Sequence, residues 1–429
     1  MILTHRTHYH PESDICNPGL LIVQLFYIND LVWVYSYQTT SMDTQERLKL
    51  LSSEMYLEPA EDTSCPKLDT VHKVDPRPGR QEKLVLSKAV LPNGKRINLL
   101  KSLLTSACER NCYYCPFRAG RDFRRATFKP DEYALAVMDL ARAGLIQGTF
   151  LSSGVFSGGV HTQDKLLDTA EILRRKMGFR GYLHLKIMPG VERDQVERAM
   201  QLANRVSINL EAPNAHRLSK LAPGKDFFEE LLQPLRWVEE IRRTRSSSLG
   251  WNGRWSSSTT QFVVGGAGES DAELLSTSQY LYHQAGLSRI YYSAFNPFSD
   301  TPLENLPAAS PRRAHRLYQA SFLLRDYGFD QEDLPFDAGG YLPLDMDPKL
   351  AWARNKLADM PLEINHAARW ELLRVPGIGP KGVRAILSAR KERLLDDISA
   401  LTRLGINASR VAPYILLNGR RPARQLTFL

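Results

Sequence analysis

The chain has 429 residues, of which 43% are hydrophobic and 24% are charged, so its composition is that of a globular protein and excludes a disordered or fibrous one. Its formal net charge is +9 at pH 7, which permits a polyanionic partner. Its five cysteines, three of them clustered, do not form a disulfide framework. They indicate a reducing compartment and metal chemistry, so we expect a cytoplasmic protein.

The first 41 residues differ in character from the rest of the chain. Residues 20–37 are apolar, but Asn29 and Asp30 interrupt them, which makes a poor membrane span. Neither a basic leader nor a small-residue cleavage site of a secretory signal accompanies this stretch. Met42 opens an amphipathic helical pattern. We therefore expect a non-native or disordered extension over residues 1–41, with a membrane tether as the alternative, and an N-terminal layer over residues 42–97.

The central part of the chain, residues 98–310, alternates β-rich runs with amphipathic helical runs. The six expected strands are Ile97–Leu104, Gly148–Ser153, Tyr182–Ile187, Arg205–Leu210, Thr259–Val264 and Arg289–Ala294. Strands that alternate with helices indicate crossover connections and a parallel sheet. In β/α barrels, functional residues lie at the carboxyl ends of the strands.

Three cysteines follow the first of these strands. Cys108, Cys112 and Cys115 have the spacing C-x3-C-x2-C, and Tyr114 precedes the last one. Thiolates this close together can hold a soft metal or an iron–sulfur cluster. A structural zinc site or an ordinary [4Fe–4S] site takes four ligands, so this set leaves one position open for a small molecule. The alternative is a chance cysteine cluster or a zinc knuckle.

The cysteine spacing with its aromatic residue resembles the signature of the radical S-adenosylmethionine (SAM) superfamily. This resemblance implies an α/β fold with a partial (β/α)6 barrel, and it implies that SAM chelates the fourth iron of a [4Fe–4S] cluster. Reductive cleavage of SAM would then give a 5′-deoxyadenosyl radical. The resemblance also implies a reductant such as flavodoxin or ferredoxin.

The same resemblance assigns SAM contacts to residues at other strand ends. In that superfamily a Gly-rich turn after the second strand meets the methionyl amine, whereas this chain has a Ser-Ser-Gly sequence there, which an ordinary turn would also favour. An Asn-x-Glu pair after the fourth strand suits the ribose hydroxyls, since both side chains lie on one strand face. A Gly-x-x-Glu turn after the fifth strand, with an apolar neighbour, would support the adenine. The expected cofactor-binding residues are Ser152, Ser153, Gly154, Lys186, Asn209, Glu211, Val263, Gly266 and Glu269.

Three further features leave alternatives open. Arg118, Arg121, Arg124 and Arg125 form a basic run, which is either a solvated loop face or a phosphate contact. Cys65 is either a buried thiol or a hydrogen-atom donor, and it is the only candidate catalytic residue outside the cluster motif. Lys186 is similarly either a contact of the SAM carboxylate or a structural ion-pair partner.

The C-terminal residues 361–429, joined to the barrel by a helical connector over residues 311–360, have the pattern of a helix-hairpin-helix. A Pro-Gly-Ile-Gly turn separates two apolar helical runs. The glycines allow backbone amides to approach a phosphate at a helix N-terminus. These 69 residues contain 12 Lys and Arg against 5 Asp and Glu, which gives a net charge of +7. The expected nucleic-acid-binding residues are Gly377, Gly379, Lys381 and Arg384.

A cysteine-bearing barrel followed by such a hairpin resembles DNA modification or repair proteins of the radical SAM superfamily. We therefore expect an enzyme that acts on nucleic acid, with DNA as the first choice, and that works beside a companion DNA-processing protein and without a membrane. One alternative is a radical SAM enzyme that modifies tRNA or rRNA. Another is a non-catalytic iron–sulfur protein that binds DNA.

Overall fold

The computed structural model describes residues 42–53, 55, 58, 86–90 and 94–422, and the backbone of two short strands near the N-terminus. These strands, Leu25–Ile28 (β1) and Leu31–Val34 (β2), pair antiparallel within a compact unit that spans Met1–Asp43. Thr44–Leu429 forms the second unit. Most of the expected extension over residues 1–41, and Cys65, lie outside the described residues, and so does Cys16.

A curled seven-stranded sheet forms the centre of the second unit, and its strands follow one another in chain order. The strands are Leu86–Val90 (β3), Arg96–Leu103 (β4), Gly148–Ser152 (β5), Tyr182–Lys186 (β6), Arg205–Ser207 (β7), Ser257–Val264 (β8) and Arg289–Ala294 (β9). β4 to β9 are parallel, and β3 pairs antiparallel with β4 at the edge. The expected partial barrel of six parallel strands is confirmed, with one additional antiparallel edge strand.

Helices cover the outer face of this sheet. One helix precedes the sheet and seven follow or connect its parallel strands: Thr44–Ser53 (α1), Pro130–Arg142 (α2), Gly159–Glu171 (α3), Arg193–Leu202 (α4), Ala215–Leu221 (α5), Gln233–Thr244 (α6), Asp271–Gln284 (α7) and Pro311–Asp326 (α8). π-Helical turns extend α3 over Ile172–Lys176 and precede α6 over Phe227–Leu232. Among the described residues, no helix is long and apolar enough to cross a membrane.

Local sequence explains where these helices begin and which face they bury. α2 begins with Pro130, whose missing N–H costs nothing at a first helical position, and Asp131 and Glu132 follow in its first turn. At the start of α7, the Ser270 hydroxyl accepts from the Glu273 N–H, and the Glu273 carboxylate accepts from the Ser270 N–H. Each helix then packs its apolar stripe on the sheet.

The C-terminal part of the chain is helical and packs beyond α8. It contains Pro348–Lys356 (α9), Arg369–Arg374 (α10), Pro380–Glu392 (α11), Ile398–Arg403 (α12) and Ala408–Val411 (α13). Two short strands, Leu362–Glu363 (β10) and Ile415–Leu416 (β11), pair in parallel and bring the two ends of this part together. The buried side chains of Leu372, Ile378, Val383, Ile386, Leu401 and Val411 supply its core.

The inner face of the barrel is polar below the end at which the cysteines lie. His184 is 1% exposed and lies on the same face of β6 as Lys186. Its ring centroid is 4.3 Å from that of Phe150. Burial, together with the positive charges of Arg205 and Lys186, holds the pKa of His184 well below its usual range. His184 is therefore neutral at physiological pH, which limits the charge that the barrel interior must accommodate.

Candidate active site at the carboxyl ends of the strands

The carboxyl ends of the parallel strands surround a cavity with about 1120 Å³ of empty space, including its open mouth. All three motif cysteines line this cavity. Residues from β4 to β9 and from the loops that follow them supply the rest of the wall. Most of the wall is apolar, with contributions from Val155, Ile208, Val263, Phe295 and Phe298. A cavity of this kind, with a few convergent polar groups, is the expected form of an active site.

The loop that carries the cysteines is fixed by backbone hydrogen bonds to the segment after β5 and to the end of α5. The Glu109 N–H donates to the Val155 carbonyl at 2.8 Å, and the Tyr113 N–H donates to the Leu221 carbonyl at 2.7 Å. All three cysteines are free thiols, with Cys112 buried and the other two partly exposed. Burial raises the pKa of the Cys112 and Cys115 thiols above their ordinary value. A metal cation would offset this effect, since a coordinating thiol is deprotonated outright.

A buried ion pair lies next to these thiols. The Lys225 ammonium is 3.2 Å from the Glu211 carboxylate, and both side chains are less than a tenth exposed. Burial alone would lower the pKa of Lys225, but the negative charges of Cys112 and Glu211 outweigh it and raise the pKa. Lys225 therefore stays cationic beside the cysteines. A cation in this position stabilises thiolates and any negatively charged cluster that they hold.

The three cysteines suit an iron–sulfur cluster with one open coordination position. Within the described ranges, no three His, Cys, Asp or Glu side chains converge on one point as a single ion requires. In an iron–sulfur cluster each thiolate binds a different iron, so the thiols stand apart by the width of the cluster. Cys108, Cys112 and Cys115 share one cavity wall beside a buried cation, and this arrangement fits a [4Fe–4S] cluster with one iron left open.

The Ser-Ser-Gly turn after β5 lies against the cysteine loop. Ser152, Ser153 and Gly154 all line the cavity. The Gly154 N–H donates to the Thr105 carbonyl at 2.8 Å, so this amide is already engaged within the protein. A Cβ atom at Gly154 would overlap the Ala107 carbonyl oxygen. The glycine is thus required for the close approach of β5 to the cysteine loop, a reason that the sequence alone does not reveal.

Asn209, Glu211 and Lys186 also line the cavity, as expected for SAM contacts. Glu211 has a positive φ of 64°, which is unusual for a residue other than glycine. Its Oε2 atom is buried and has no hydrogen-bond partner among the described residues. Lys186 donates to Glu58 Oε2 at 2.6 Å, and Asn209 Nδ2 lies 3.4 Å from the same Glu58 atom. Lys186 is therefore an ion-pair partner inside the cavity, so both of its anticipated roles remain compatible with its position.

The end of β8 and the turn after it contain three residues that were expected to contact the adenine. Val263 lines the cavity as anticipated. Gly266 and Glu269 are absent from the cavity wall. A Cβ atom at Gly266 would come within 3.1 Å of Phe295, and the Glu269 carboxylate accepts from the backbone N–H groups of Gly265 and Ala267. Gly266 therefore leaves room for the Phe295 ring, and Glu269 supports the turn because its carboxylate is directed into the protein.

The basic run after the third cysteine does not form a solvated loop face, which was the first of the two interpretations of the sequence. Arg121 Nε donates to the Ser299 carbonyl at 3.1 Å, and its Nη1 donates to the Pro116 carbonyl at 2.9 Å. Arg125 binds several loop carbonyls. Among the four arginines of this run, only Arg124 is exposed. The inward arginines have this role because a compact loop leaves carbonyl groups that need donors.

The C-terminal residues expected to bind nucleic acid lie far along the chain, around the turn between α10 and α11. Gly377 is exposed and has a φ of +87°. Gly379 is the residue that precedes α11, and Lys381 and Arg384 are exposed on the first two turns of that helix. The Lys349 ammonium donates to the Ile378 carbonyl at 2.6 Å, which fixes the turn on α9.

Sequence reasoning missed several cavity residues, among them the following three. Met55 and Glu58 come from the N-terminal layer, and Lys225 comes from the segment between α5 and the π-helical turn before α6. None of them belongs to a motif.

Residues 102–281 match the family model of the Radical SAM superfamily, a range that includes the three cysteines and β5 to β8. An uncharacterized protein of Methanocaldococcus jannaschii is 22% identical over 229 residues, which cover 50% of this chain and 54% of that protein. The chain thus spans about half the length of the curated relative that it matches.

Several solved structures are similar over part of their length. The FeFe-hydrogenase maturase HydG from Carboxydothermus hydrogenoformans is 14% identical with a TM-score of 0.42, over 53% of this chain and 51% of that one. Methylornithine synthase (PylB) is 14% identical with a TM-score of 0.41, over 53% and 62% of the two chains. The radical SAM methyltransferase TsrM from Kitasatospora setae is 12% identical with a TM-score of 0.38, over 68% and 60%. Residues 102–281 therefore contain a Radical SAM domain, which includes the three free thiols, and the cofactors of that superfamily are a [4Fe–4S] cluster and SAM.

Proposed function

We propose that this protein is a radical SAM enzyme that acts on nucleic acid, with DNA as the first candidate. The observation that carries the enzymatic part is the position of three free thiols beside Lys225 on the wall of a large cavity at the strand ends. A purely structural cluster would need a fourth ligand from the protein, and it would not need a cavity beside it. The open coordination position and the empty space next to it are features of a site that admits a small molecule.

Cys108, Cys112 and Cys115 would hold three irons of the cluster. When bound, a [4Fe–4S] cluster would supply the electron for reductive cleavage of SAM, which is the radical-generating chemistry of the superfamily. Asn209 and Glu211 offer an amide and a carboxylate at the end of β7, which suit the ribose hydroxyls. Ser152, Ser153 and Gly154 lie where the resemblance assigns the methionyl group. Val263 and Phe295 supply an apolar surface for the adenine and exclude water from it.

The proposed polymer rests on the C-terminal residues 361–429, which carry a net charge of +7. The exposed Gly377 turn, followed by Lys381 and Arg384 on α11, offers backbone amides and cations on one side of the molecule. Such groups bind a phosphate backbone with little dependence on sequence. A duplex substrate would have to extrude or melt a nucleotide to reach the cavity. The domain organisation that we propose assigns residues 98–310 to chemistry and residues 361–429 to substrate binding, with residues 311–360 between them.

The proposal also implies other components. An electron donor such as flavodoxin or ferredoxin is required, because SAM cleavage consumes an electron. A companion DNA-processing protein would use the modified product or supply the damaged substrate. A cytoplasmic location agrees with the oxygen-sensitive cofactor and the free thiols.

The experiment that tests this proposal measures 5′-deoxyadenosine after anaerobic reconstitution of the full chain with iron and sulfide and reduction in the presence of SAM. Parallel reactions contain duplex DNA, single-stranded DNA, RNA of the same sequence, or no polymer. We expect formation of 5′-deoxyadenosine that rises with DNA. The matched control is Cys112→Ala, with its thermal unfolding checked by circular dichroism.

The outcomes separate the candidate functions. A stronger response to RNA than to DNA would favour the RNA-modifying alternative. Cleavage of SAM that no polymer stimulates would reject the nucleic-acid substrate and retain the radical SAM chemistry. An intact cluster that cleaves no SAM, in a protein that binds DNA tightly, would favour the non-catalytic iron–sulfur protein.

A further inference from the structure

The cysteine loop is closed at its base by pairing between its two ends. Thr105 and Thr127 form an antiparallel bridge, and their hydroxyls lie 2.6 Å apart. The Ser106 N–H donates to the Ala126 carbonyl at 3.0 Å. All three cysteines therefore lie in a closed loop that spans residues 106–126, with Arg125 near its return end.

The Arg125 guanidinium lies inside this loop and donates to carbonyls on both sides of the cysteines. Nη1 donates to the Ser106 carbonyl at 2.7 Å, two residues before the first cysteine. The remaining bonds run to carbonyls after the last cysteine: Phe117 at 3.1 Å, Arg118 at 2.9 Å and Arg121 at 3.3 Å. Arg125 therefore joins the segment that enters the cysteine motif to the segment that leaves it.

Only arginine can make this set of contacts. Its guanidinium carries five N–H donors in a rigid planar fork, whereas a lysine ammonium is a compact group on a flexible stem. The Arg125 Cζ atom lies 4.2 Å from the centroid of the Phe123 ring, which fixes the plane of the fork. Among the ion pairs of the described residues, Arg125 has no carboxylate partner. Its donors are directed to the loop backbone.

We propose that Arg125 is a positioning residue for the cluster, because it sets the shape of the loop that presents Cys108, Cys112 and Cys115. Its four carbonyl contacts replace the secondary structure that this loop lacks. This inference concerns cofactor retention and is independent of whether the substrate is DNA, RNA or a small molecule.

The test compares Arg125→Ala and Arg125→Lys with the wild-type full chain, and it uses Arg124→Ala as the matched control from the same loop. Each protein is reconstituted anaerobically. The readouts are iron per chain, the electron paramagnetic resonance spectrum of the reduced cluster, and the rate at which cluster absorbance decays with a chelator. Supporting groups around a metal site commonly change affinity 10–100-fold, so we expect about ten-fold faster decay in Arg125→Ala. Arg125→Lys should fall between this variant and the wild type.

Chemical rescue distinguishes positioning from a general loss of folding. Millimolar guanidinium chloride should slow the decay in Arg125→Ala, whereas equal sodium chloride should not. Wild-type decay rates in both Arg125 variants would overturn the proposal. Equal acceleration in Arg125→Ala and Arg124→Ala would also overturn it, because loop charge alone would then explain the effect. If Arg125→Ala does not fold, a wild-type spectrum and decay rate in Arg125→Lys would overturn the proposal.

Discussion

The carboxylate of Glu58 lies 2.6 Å from the ammonium of Lys186, inside the cavity that the strand ends enclose. The Lys186 side chain is 8% exposed, and the Glu58 side chain is 24% exposed. Glu58 comes from the N-terminal layer, whereas Lys186 ends β6, so the pair joins two parts of the chain that are 128 residues apart. It is an anionic contact at the position where the resemblance assigns the SAM carboxylate.

This pair leads to a prediction for SAM affinity. Glu58→Gln removes the negative charge that satisfies Lys186, so the lysine becomes available to the SAM carboxylate. We expect SAM to bind about five-fold more tightly to the reconstituted Glu58→Gln protein, which corresponds to about 1 kcal/mol. Isothermal titration under anaerobic conditions measures the change. Lys186→Met is the paired control and should weaken binding. Weaker binding by Glu58→Gln would mean that Glu58 itself orients the ligand.

The second prediction concerns Gly154. A methyl group at this position would overlap the backbone of Ala107 and contact Cys108 Cβ. We expect Gly154→Ala to lower stability by about 1–3 kcal/mol, as overpacked sites do, and to reduce the iron bound per chain. Urea unfolding of the apoprotein and iron analysis after reconstitution measure the two effects.

The control for this change is Gly382→Ala. Gly382 lies within α11, and its new Cβ would make an ordinary van der Waals contact of 3.4 Å with Ile406. Because alanine also favours the helix more than glycine does, stability should be unchanged or slightly higher. Iron content should stay at the wild-type value in this variant. If Gly154→Ala bound iron as fully as Gly382→Ala, the close approach of β5 to the cysteine loop would not matter for the cluster.

The third prediction is a pH dependence that arises at Lys349. Burial lowers the pKa of Lys349 to about 7, with a smaller opposing effect from Asp347 and an added lowering from Arg410. The unfolded chain keeps the ordinary lysine pKa, so it binds more protons than the folded chain between pH 7 and that value. Stability should therefore rise with pH above about 7, by at most about 1.4 kcal/mol per pH unit from this group.

Urea unfolding followed by circular dichroism at several pH values between neutral and mildly alkaline measures this slope. Lys349→Met removes the titrating group and should flatten the dependence. The Lys349 ammonium also donates to the Ile378 carbonyl and lies 4.7 Å from the Tyr327 ring centroid, so the same variant should loosen the turn before α11. An equal slope in both proteins would assign the pH dependence to another group.

The fourth prediction separates the two ends of α11 in nucleic-acid binding. Lys381 is exposed in the first turn, and Lys391 is exposed in the last turn. Lys381→Gln should weaken DNA binding and reduce the slope of log affinity against log salt by about 1, because one phosphate contact is lost. Lys391→Gln carries the same charge change and should leave that slope at the wild-type value. Fluorescence anisotropy across a salt series measures both, and equal effects would indicate a general charge contribution.

Local patterns in the sequence were sufficient for the architecture and the cysteine motif. Arg205–Leu210 and Thr259–Val264 were expected as strands because β-rich runs stand between amphipathic helical ones, and β7 and β8 lie there. Hydrophobic periodicity and secondary-structure propensity are properties of neighbouring residues, so they can be read without knowledge of the fold. The C-x3-C-x2-C spacing is equally local, so it is sufficient to select Cys108, Cys112 and Cys115 as candidate cluster ligands.

Only the tertiary structure decided which side chains meet in the cavity. Glu58 and Lys225 reach it from segments without a motif, and Glu269 turns away from it to accept backbone hydrogen bonds. The same holds for Arg125, whose place in a basic run suggested solvent or phosphate and whose donors instead bind loop carbonyls. The sequence gives the charge of a side chain. The partner of that side chain depends on long-range packing and on which buried backbone groups lack hydrogen bonds.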